Sequence, residues 1–460
     1  MSFHTMEIPT ENMPSERTPT AERSPPHLAR STSPRRSTIP VDVGHKSVSY
    51  LLLIVQAILA ILMYFGTTYS DTFKLEQYVA FRDMMMLLLI GFGFLAAFLK
   101  NYGLGAIGFT MMLMALGIQI NILSEWAFRA AYLGRLAEIT WPMPITLMTL
   151  INAEFSVAAV LITFRVVIGR TSPLQLVTII IFESIIYACF KVMVFGAIGA
   201  EDVGGTFTVH MFGAYFGLAI SSTLGVVRSI EKSTESEKVS DIFSFLGTSI
   251  LWVYWPSLGG AAVIGVEVES HRCMVNTVFA LLGSTVATFF LSNMLTDARF
   301  EPVHISNSTL SGGVAIGAIA RLNIGVGSAL LVGILAGLVS VAGYVYTTPF
   351  LESKPLAVHD TCGVGNLHGL PSILGGLLSI VFVLVDLEAP FLMYSDSMQA
   401  SCQFLALLVT ITIAVVTGKL TGRFVKTMNP TLAQNFEDSS WWQARYFESE
   451  TEPMKTNDSS

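Results

Sequence analysis

Ten separate stretches of this chain are apolar and long enough to cross a hydrocarbon core of about 30 Å, and no single water-excluded core could hide them all. They run over 48–66, 103–123, 144–164, 173–199, 207–227, 241–266, 274–295, 326–348, 364–386 and 400–418. Two further stretches, 84–99 and 309–324, are shorter or interrupted by glycine. Counting both gives twelve spans. Lipid offers the backbone no hydrogen-bond partner, so spans of this kind are expected to be helices and the class is an all-α polytopic membrane protein. With 52% hydrophobic and only 13% charged residues, the chain has its solvent fixed as lipid, and no nucleic-acid partner is expected.

An even number of crossings puts both tails on one side of the membrane. Placing them in the cytoplasm gives fourteen Lys and Arg inside, among them Lys46, Lys100, Arg165, Arg170 and Lys354, against six outside: Lys74, Arg82, Arg129, Arg135, Arg272 and Arg321. Residues 1–46 are rich in Ser, Thr, Pro and Arg, carry no signal-peptide core, and read as a disordered cytoplasmic tail. A membrane domain over 47–426 follows, then a second cytoplasmic tail over 427–460, in which Phe436-Glu437-Asp438 and Trp441-Trp442 form a docking or packing patch. Cys189, Cys273, Cys362 and Cys402 show no paired spacing, so neither a disulfide nor a metal is expected, and no cofactor. The sequon Asn307-Ser308-Thr309 falls on the inner side beside a span and reads as a pore or cap segment.

Two short segments say the same thing. Asp202-Val203-Gly204-Gly205-Thr206-Phe207-Thr208-Val209-His210 and Asp360-Thr361-Cys362-Gly363-Val364-Gly365-Asn366-Leu367-His368 share an Asp, a Gly three residues on and a His eight residues on. Ionisable groups inside a span are costly, so their repetition points to a substrate path. His210 falls on the sixth span and His368 on the eleventh, and five crossings between them reverse the helix direction. That parity is what an inverted repeat needs, with spans two to six related to spans seven to eleven by a two-fold axis in the membrane plane. Eight helical residues would rise about 12 Å, carrying each His from its own side toward the middle, where the axis brings the two together. Asp202 and Asp360 would cap exposed amides and line the two mouths.

A neutral imidazole offers one donor and one acceptor, so two adjacent rings share one N–H and still present their edges to a small polar guest. Protonating either ring costs desolvation, and charging both adds repulsion. The pair is therefore expected to stay neutral. A neutral guest passes and a bare cation does not. Ammonia fits, although a proton relay and a bis-His haem site also use buried histidines.

At these residues the chain resembles the Rh glycoprotein branch of the ammonium transporter superfamily. Phe212-Gly213-Ala214-Tyr215-Phe216-Gly217-Leu218, Asn366-Leu367-His368-Gly369-Leu370-Pro371 and Tyr254-Trp255-Pro256-Ser257 carry the likeness. Val303-His304-Ile305, Gly312-Gly313-Val314-Ala315, Thr348-Pro349-Phe350-Leu351-Glu352-Ser353 and Phe436-Glu437-Asp438 extend it, over roughly 48–440. The resemblance implies twelve spans, cytoplasmic termini, a plasma-membrane homotrimer with one pore per subunit, and passive movement of ammonia recruited as ammonium. Carbon dioxide would be a second gas. Both pore histidines are kept, which implies a conducting member.

The resemblance also implies an outer gate of two stacked phenylalanines. Phe155 matches the first, whereas Leu258 stands at the second and lacks the aromatic face that favours a passing cation. Asp241, Glu301 and Glu352 resemble inner vestibule carboxylates, and Asn366 belongs to the second histidine motif. Glu183 and Lys191, eight residues apart on the fifth span, are about 80° away from one face and do not suit direct pairing. Gly312, Gly313 and Gly317 suit close helix approach. The expected function is thus a passive ammonia channel and not an enzyme. Electrogenic ammonium transport, a non-conducting sensor or scaffold, and a membrane redox protein are the competing readings.

Overall fold

The computed structural model describes residues 41–134, 142–225, 237–353, 358–385, 392–428 and 436–443. The expected disorder of residues 1–46 therefore lies almost wholly outside the described residues, as does Lys354. Eleven helices are long and apolar enough to cross a membrane. We label them α1 (Lys46–Gly66), α2 (Leu75–Phe98), α3 (Gly103–Tyr132), α4 (Leu147–Val167), α5 (Pro173–Ile198), α6 (Thr206–Leu224), α7 (Lys238–Ala261) and α8 (Glu267–Leu295). After the broken α9 come α10 (Val326–Glu352), α11 (Gly365–Val385) and α12 (Asp396–Met428). Both weak stretches are helical. The first grows into the full-length α2, because polar residues such as Asp83 join its start and bond inward, Ser257 donating to Asp83 at 2.9 Å.

The other weak stretch departs from its expected limits. The helix α9 begins at Pro302 and comes in two pieces, Pro302–Ser308 and Ser311–Ile316. Proline fits the first turn, where no amide partner is lost, and the glycine pair follows the break. Residues 304–320 are buried throughout, so this segment lies inside protein, where an irregular backbone is tolerated at membrane depth.

The packing follows the inverted repeat. In the first half α3 packs on α5 and α4 on α6; in the second, α8 packs on α10 and α9 on α11. The apolar window of α1 is only 11% buried, whereas those of α4 and α6 are 72% and 78% buried, so α4 and α6 are interior walls and α1 is peripheral. A Gln56–Gln119 side-chain hydrogen bond of 2.9 Å ties α1 to α3. Sequence sets the starts of the interior helices: Thr146 caps α4 by accepting from the Thr149 amide, and Ser172 with Pro173 opens α5. Among the described residues one pairing is not helical. Thr67–Tyr69 and Met143–Ile145 form a short parallel pair joining the loops before α2 and α4.

Two arginines counted as inner loop charges do not lie in water. Arg165 is inside α4 and 1% exposed, and Arg170 is 4% exposed, donating to Ser221 and to the carbonyls of His359 and Gly225. Both are spent on the protein interior, so the excess of inside cations is smaller than the sequence suggests.

Of the three glycines expected at close contacts, Gly312 faces the Ala280 carbonyl of α8, Gly313 faces the Trp255 indole and Gly317 faces Gly204. The Gly204 amide donates to the Gly317 carbonyl at 2.9 Å. A Cβ on Gly204 would meet the Gly317 Cα at 2.5 Å, so the link before α6 can thread past α9 only as bare backbone.

Candidate transport site

The repeated segments build the same device twice. Asp202 precedes α6 by four residues, and its Oδ2 accepts from the amides of Phe207 (3.0 Å) and Thr208 (2.8 Å) and from the Thr208 hydroxyl (2.9 Å). Asp360 repeats this before α11, accepting from the amides of Val364 (2.9 Å) and Gly365 (2.6 Å). Both aspartates are caps, as their position implied. The eight-residue helical rise from Asp to His is not found. Residues 202–205 are not helical, because Gly205 turns the chain with φ 74°, and Gly363 does the same before α11 with φ 68°. Each His sits in the first, π-wound turn of its helix, over Thr206–Met211 and Gly365–Gly369. The spacing therefore works as a turn that aims the helix, not as a ruler.

The two rings meet. The Nδ1 atoms of His210 and His368 are 3.2 Å apart, and the rings lie nearly parallel at 12° with centroids 5.2 Å apart. His210 is 1% exposed and His368 is fully buried. With the Nδ1 atoms sharing one proton, each Nε2 is left without a protein partner. No macrocycle fits between nitrogens in hydrogen-bond contact, which removes the bis-His haem arrangement. The Trp255 indole lies nearly parallel to His210 (centroids 5.4 Å, 19°) and the Phe92 ring nearly parallel to His368 (6.1 Å, 11°). Four near-parallel rings from α2, α11, α6 and α7 thus lie together. Gly313 makes room for the indole.

A cavity of about 630 Å³ opens beside the first segment, lined by Asp202, Thr208, Phe155, Tyr187, Asn152 and Lys191 among others. Several of its charged groups are paired. Lys191 donates to Glu125 (3.0 Å) and Asn152 (3.1 Å), while Arg321 pairs with Glu201 (3.3 Å) and Glu269. Burial pushes the Asp202 carboxyl up to about 7 against the hydrogen bonds from Thr208 and Phe207, and burial likewise lifts Glu201 to about 7 against Arg321. These two neighbours in the link before α6 thus titrate near neutral pH.

Among the expected site residues, the structure brings Asp202 and Phe155 to the cavity and His210 to His368. Leu258 is 2% exposed, packed in the core beside α7 residues that lead to the cavity rim, Ala262 and Val263. Asn366 is 2% exposed and donates to the Thr348 hydroxyl at 2.7 Å. Glu352 lies 3.7 Å from His359 and acts electrostatically on Asp360 and Arg170, forming one charged cluster at the second segment. Asp241 and Glu301 do not join it: among the described residues neither pairs with that cluster, and each stands at the start of its own helix. The pairs Lys191–Glu125 and Arg321–Glu201 were missed by sequence reasoning, since no periodicity says which helix faces which. Glu183 and Lys191 do not pair, as their angle predicted; Glu183 accepts from Thr163 at 2.7 Å.

The second tail docks where the sequence marked a patch. Asp438 accepts from the amides of Leu104 and Gly105, both at 2.7 Å, so it caps α3 from more than three hundred residues away, and Trp442 packs on Phe109. Burial pushes the Asp438 carboxyl up to about 6, opposed by those two amides. A docked acid that holds its proton more tightly than the free one docks more firmly in acid. Docking is expected to strengthen as pH falls from 7 through 6 and to level off below about 4. Asp438→Ala is expected to cost the cap about 1 kcal/mol and to release the tail, read as faster protease cleavage after residue 428.

The model of the family described as Ammonium Transporter Family matches residues 47–435. The chain belongs to that family, and within it to the Rh glycoprotein branch. It is 37% identical over 387 residues to ammonium transporter Rh type B of Xenopus tropicalis, covering 80% of this chain and 82% of that one. It is 36% identical over 387 residues to ammonium transporter Rh type B of Homo sapiens, with the same coverage. Among solved structures it is similar to Nitrosomonas europaea Rh50, with a TM-score of 0.69 at 33% identity over 82% of this chain and 94% of that chain. A structure described as a sensor Amt protein shares the fold, with a TM-score of 0.64 at 18% identity over 78% and 96% of the two chains. The architecture is the twelve-span inverted repeat of that family, in an integral multi-pass membrane protein.

Proposed function

We propose that this protein is a passive channel for ammonia. Ammonium collects in the cavity beside Asp202 and Glu201, leaves its proton there, and crosses as the neutral molecule past His210 and His368. One observation carries the reading: two buried imidazoles touch through Nδ1 and leave both Nε2 atoms unused. The ring that donates its Nδ1–H keeps an Nε2 lone pair, and the other keeps an Nε2–H. The pair thus offers one acceptor and one donor, which suits a guest able to do both. A bare cation in the same place loses its hydration and gains little. Phe155 and Leu258 exclude water above the pair, and Asn366 holds the second histidine turn against α10.

Asp360, with Asp241, Glu301 and Glu352, supplies negative charge at the opposite mouth in this reading. The rest follows the Rh likeness: a homotrimer in the plasma membrane, surrounded by lipid, with cytoplasmic tails at 1–46 and 427–460, and carbon dioxide as a second guest. The relatives' names supply the substrate class, ammonium.

Stopped-flow measurement on proteoliposomes tests it. An inward ammonium gradient is expected to alkalinise the lumen faster than in protein-free vesicles, with no accompanying current. Equal rates would end the channel reading in favour of a sensor or scaffold. A current scaling with the gradient would favour the histidines relaying a proton alongside ammonia. The same vesicles exposed to carbon dioxide report the second gas by acidification.

A further inference from the structure

Arg165 is a buried cation inside a span that the functional reading leaves unused. It lies in α4, ten residues or about 15 Å along the helix from Phe155, and is 1% exposed. Its Nη2 donates to Asn307 Oδ1 at 2.7 Å. Asn307 is itself fully buried in the first piece of α9 and is held by its own amide, which donates to the Val303 carbonyl at 3.1 Å. The other two donor groups of the guanidinium, Nε and Nη1, have no acceptor.

No carboxylate pairs with Arg165 among the described residues. The contrast with the cavity is clear, since Lys191 and Arg321 there each have a glutamate partner. A guanidinium cannot shed its charge by losing a proton at physiological pH. An intramembrane charge whose hydrogen-bond partners, Asn307 and the Cys362 thiol, are both neutral is expensive to keep, which calls for a use. Its surroundings supply one. The Thr361 amide, next to Asp360, donates to the carbonyl of Val166, the residue after Arg165, at 3.4 Å, so Arg165 sits against the second segment and its charge acts on Asp360, Cys362 and His368.

We propose that Arg165, fixed by Asn307, is a charge-selectivity residue: a permanent positive charge beside the passage that turns back ammonium and protons while leaving a neutral guest untouched. It touches no guest and acts through the field alone. In a medium of effective dielectric about 20, a unit charge several ångströms away lowers cation occupancy by about tenfold or more. The filter would therefore have two parts: the histidines favour the neutral molecule, and Arg165 penalises the charged one.

The inference rests on the channel reading and is tested so that the two can fail separately. Full-length protein, Arg165→Met and Arg165→Lys are reconstituted, and lumenal pH and current are recorded under the same ammonium step. The methionine form is expected to keep the alkalinisation rate and to pass a current about tenfold larger or more, while the lysine form keeps the low current. A methionine form with unchanged current overturns the proposal, and so does a lysine form that conducts like it. Unmodified protein that alkalinises no faster than empty vesicles overturns the channel reading, and the currents still decide the role of the charge. Should Arg165→Met fail to fold, Asn307→Asp neutralises the guanidinium in place. It is expected to raise the current in the same way, and its silence overturns the proposal.

Discussion

His368→Ala is expected to slow ammonium-driven alkalinisation of proteoliposomes by about tenfold, and His210→Ala to do the same. Each substitution removes half of the pair's hydrogen-bonding capacity and leaves the other Nδ1 unpartnered in a buried site. An unmade buried hydrogen bond costs about 1–3 kcal/mol, and on a permeation barrier that is about 5-fold to 150-fold in rate. The rings also brace their neighbours, so thermal unfolding in detergent should accompany the flux measurement. Unaltered flux in both single variants would show that the guest does not pass the rings at all.

Asp202→Ala should be the most damaging single change to the fold near the site. It strips the acceptor from two backbone amides and a hydroxyl, in a region where Thr206 through Met211 are all buried. With each orphaned donor costing about 1–3 kcal/mol, a loss of about 3 kcal/mol or more is expected, read as a lowered Tm in detergent. Asp202→Asn keeps one acceptor oxygen and separates the two roles. If it restores most of the Tm but not the rate, the carboxylate charge serves transport; if it restores both, Asp202 is a cap and nothing more.

The extent to which the site was legible depends on how far apart its parts lie along the chain. The histidine pair could be read because the chain writes the segment twice, and the parity of the crossings turns a one-dimensional repeat into a contact. The spans could be read because lipid forces every backbone group to be satisfied within its own segment. The limits of α9 could not be read from apolar length, since a buried broken helix needs no uniform hydropathy. Arg165 was taken for a loop charge because it sits just past the apolar window that ends at 164, and its partner Asn307 is 142 positions away. Lys191 and Glu125 escaped notice for the same reason: a helical period tells which side of a helix is polar, not what it faces. The Asp-to-His spacing gave the right residues by the wrong geometry, because Gly205 and Gly363 interrupt the helix between them.

The stacking of Phe92, His368, His210 and Trp255 has a consequence for motion. Each imidazole has an aromatic ring as a close neighbour, so turning it displaces that ring, and the indole is packed tightly against Gly313. The histidine pair is thus a stationary element and not a swinging door. Any opening and shutting has to happen elsewhere, where side chains such as Phe155 border empty space, and a blocker designed to lock this protein should be aimed there.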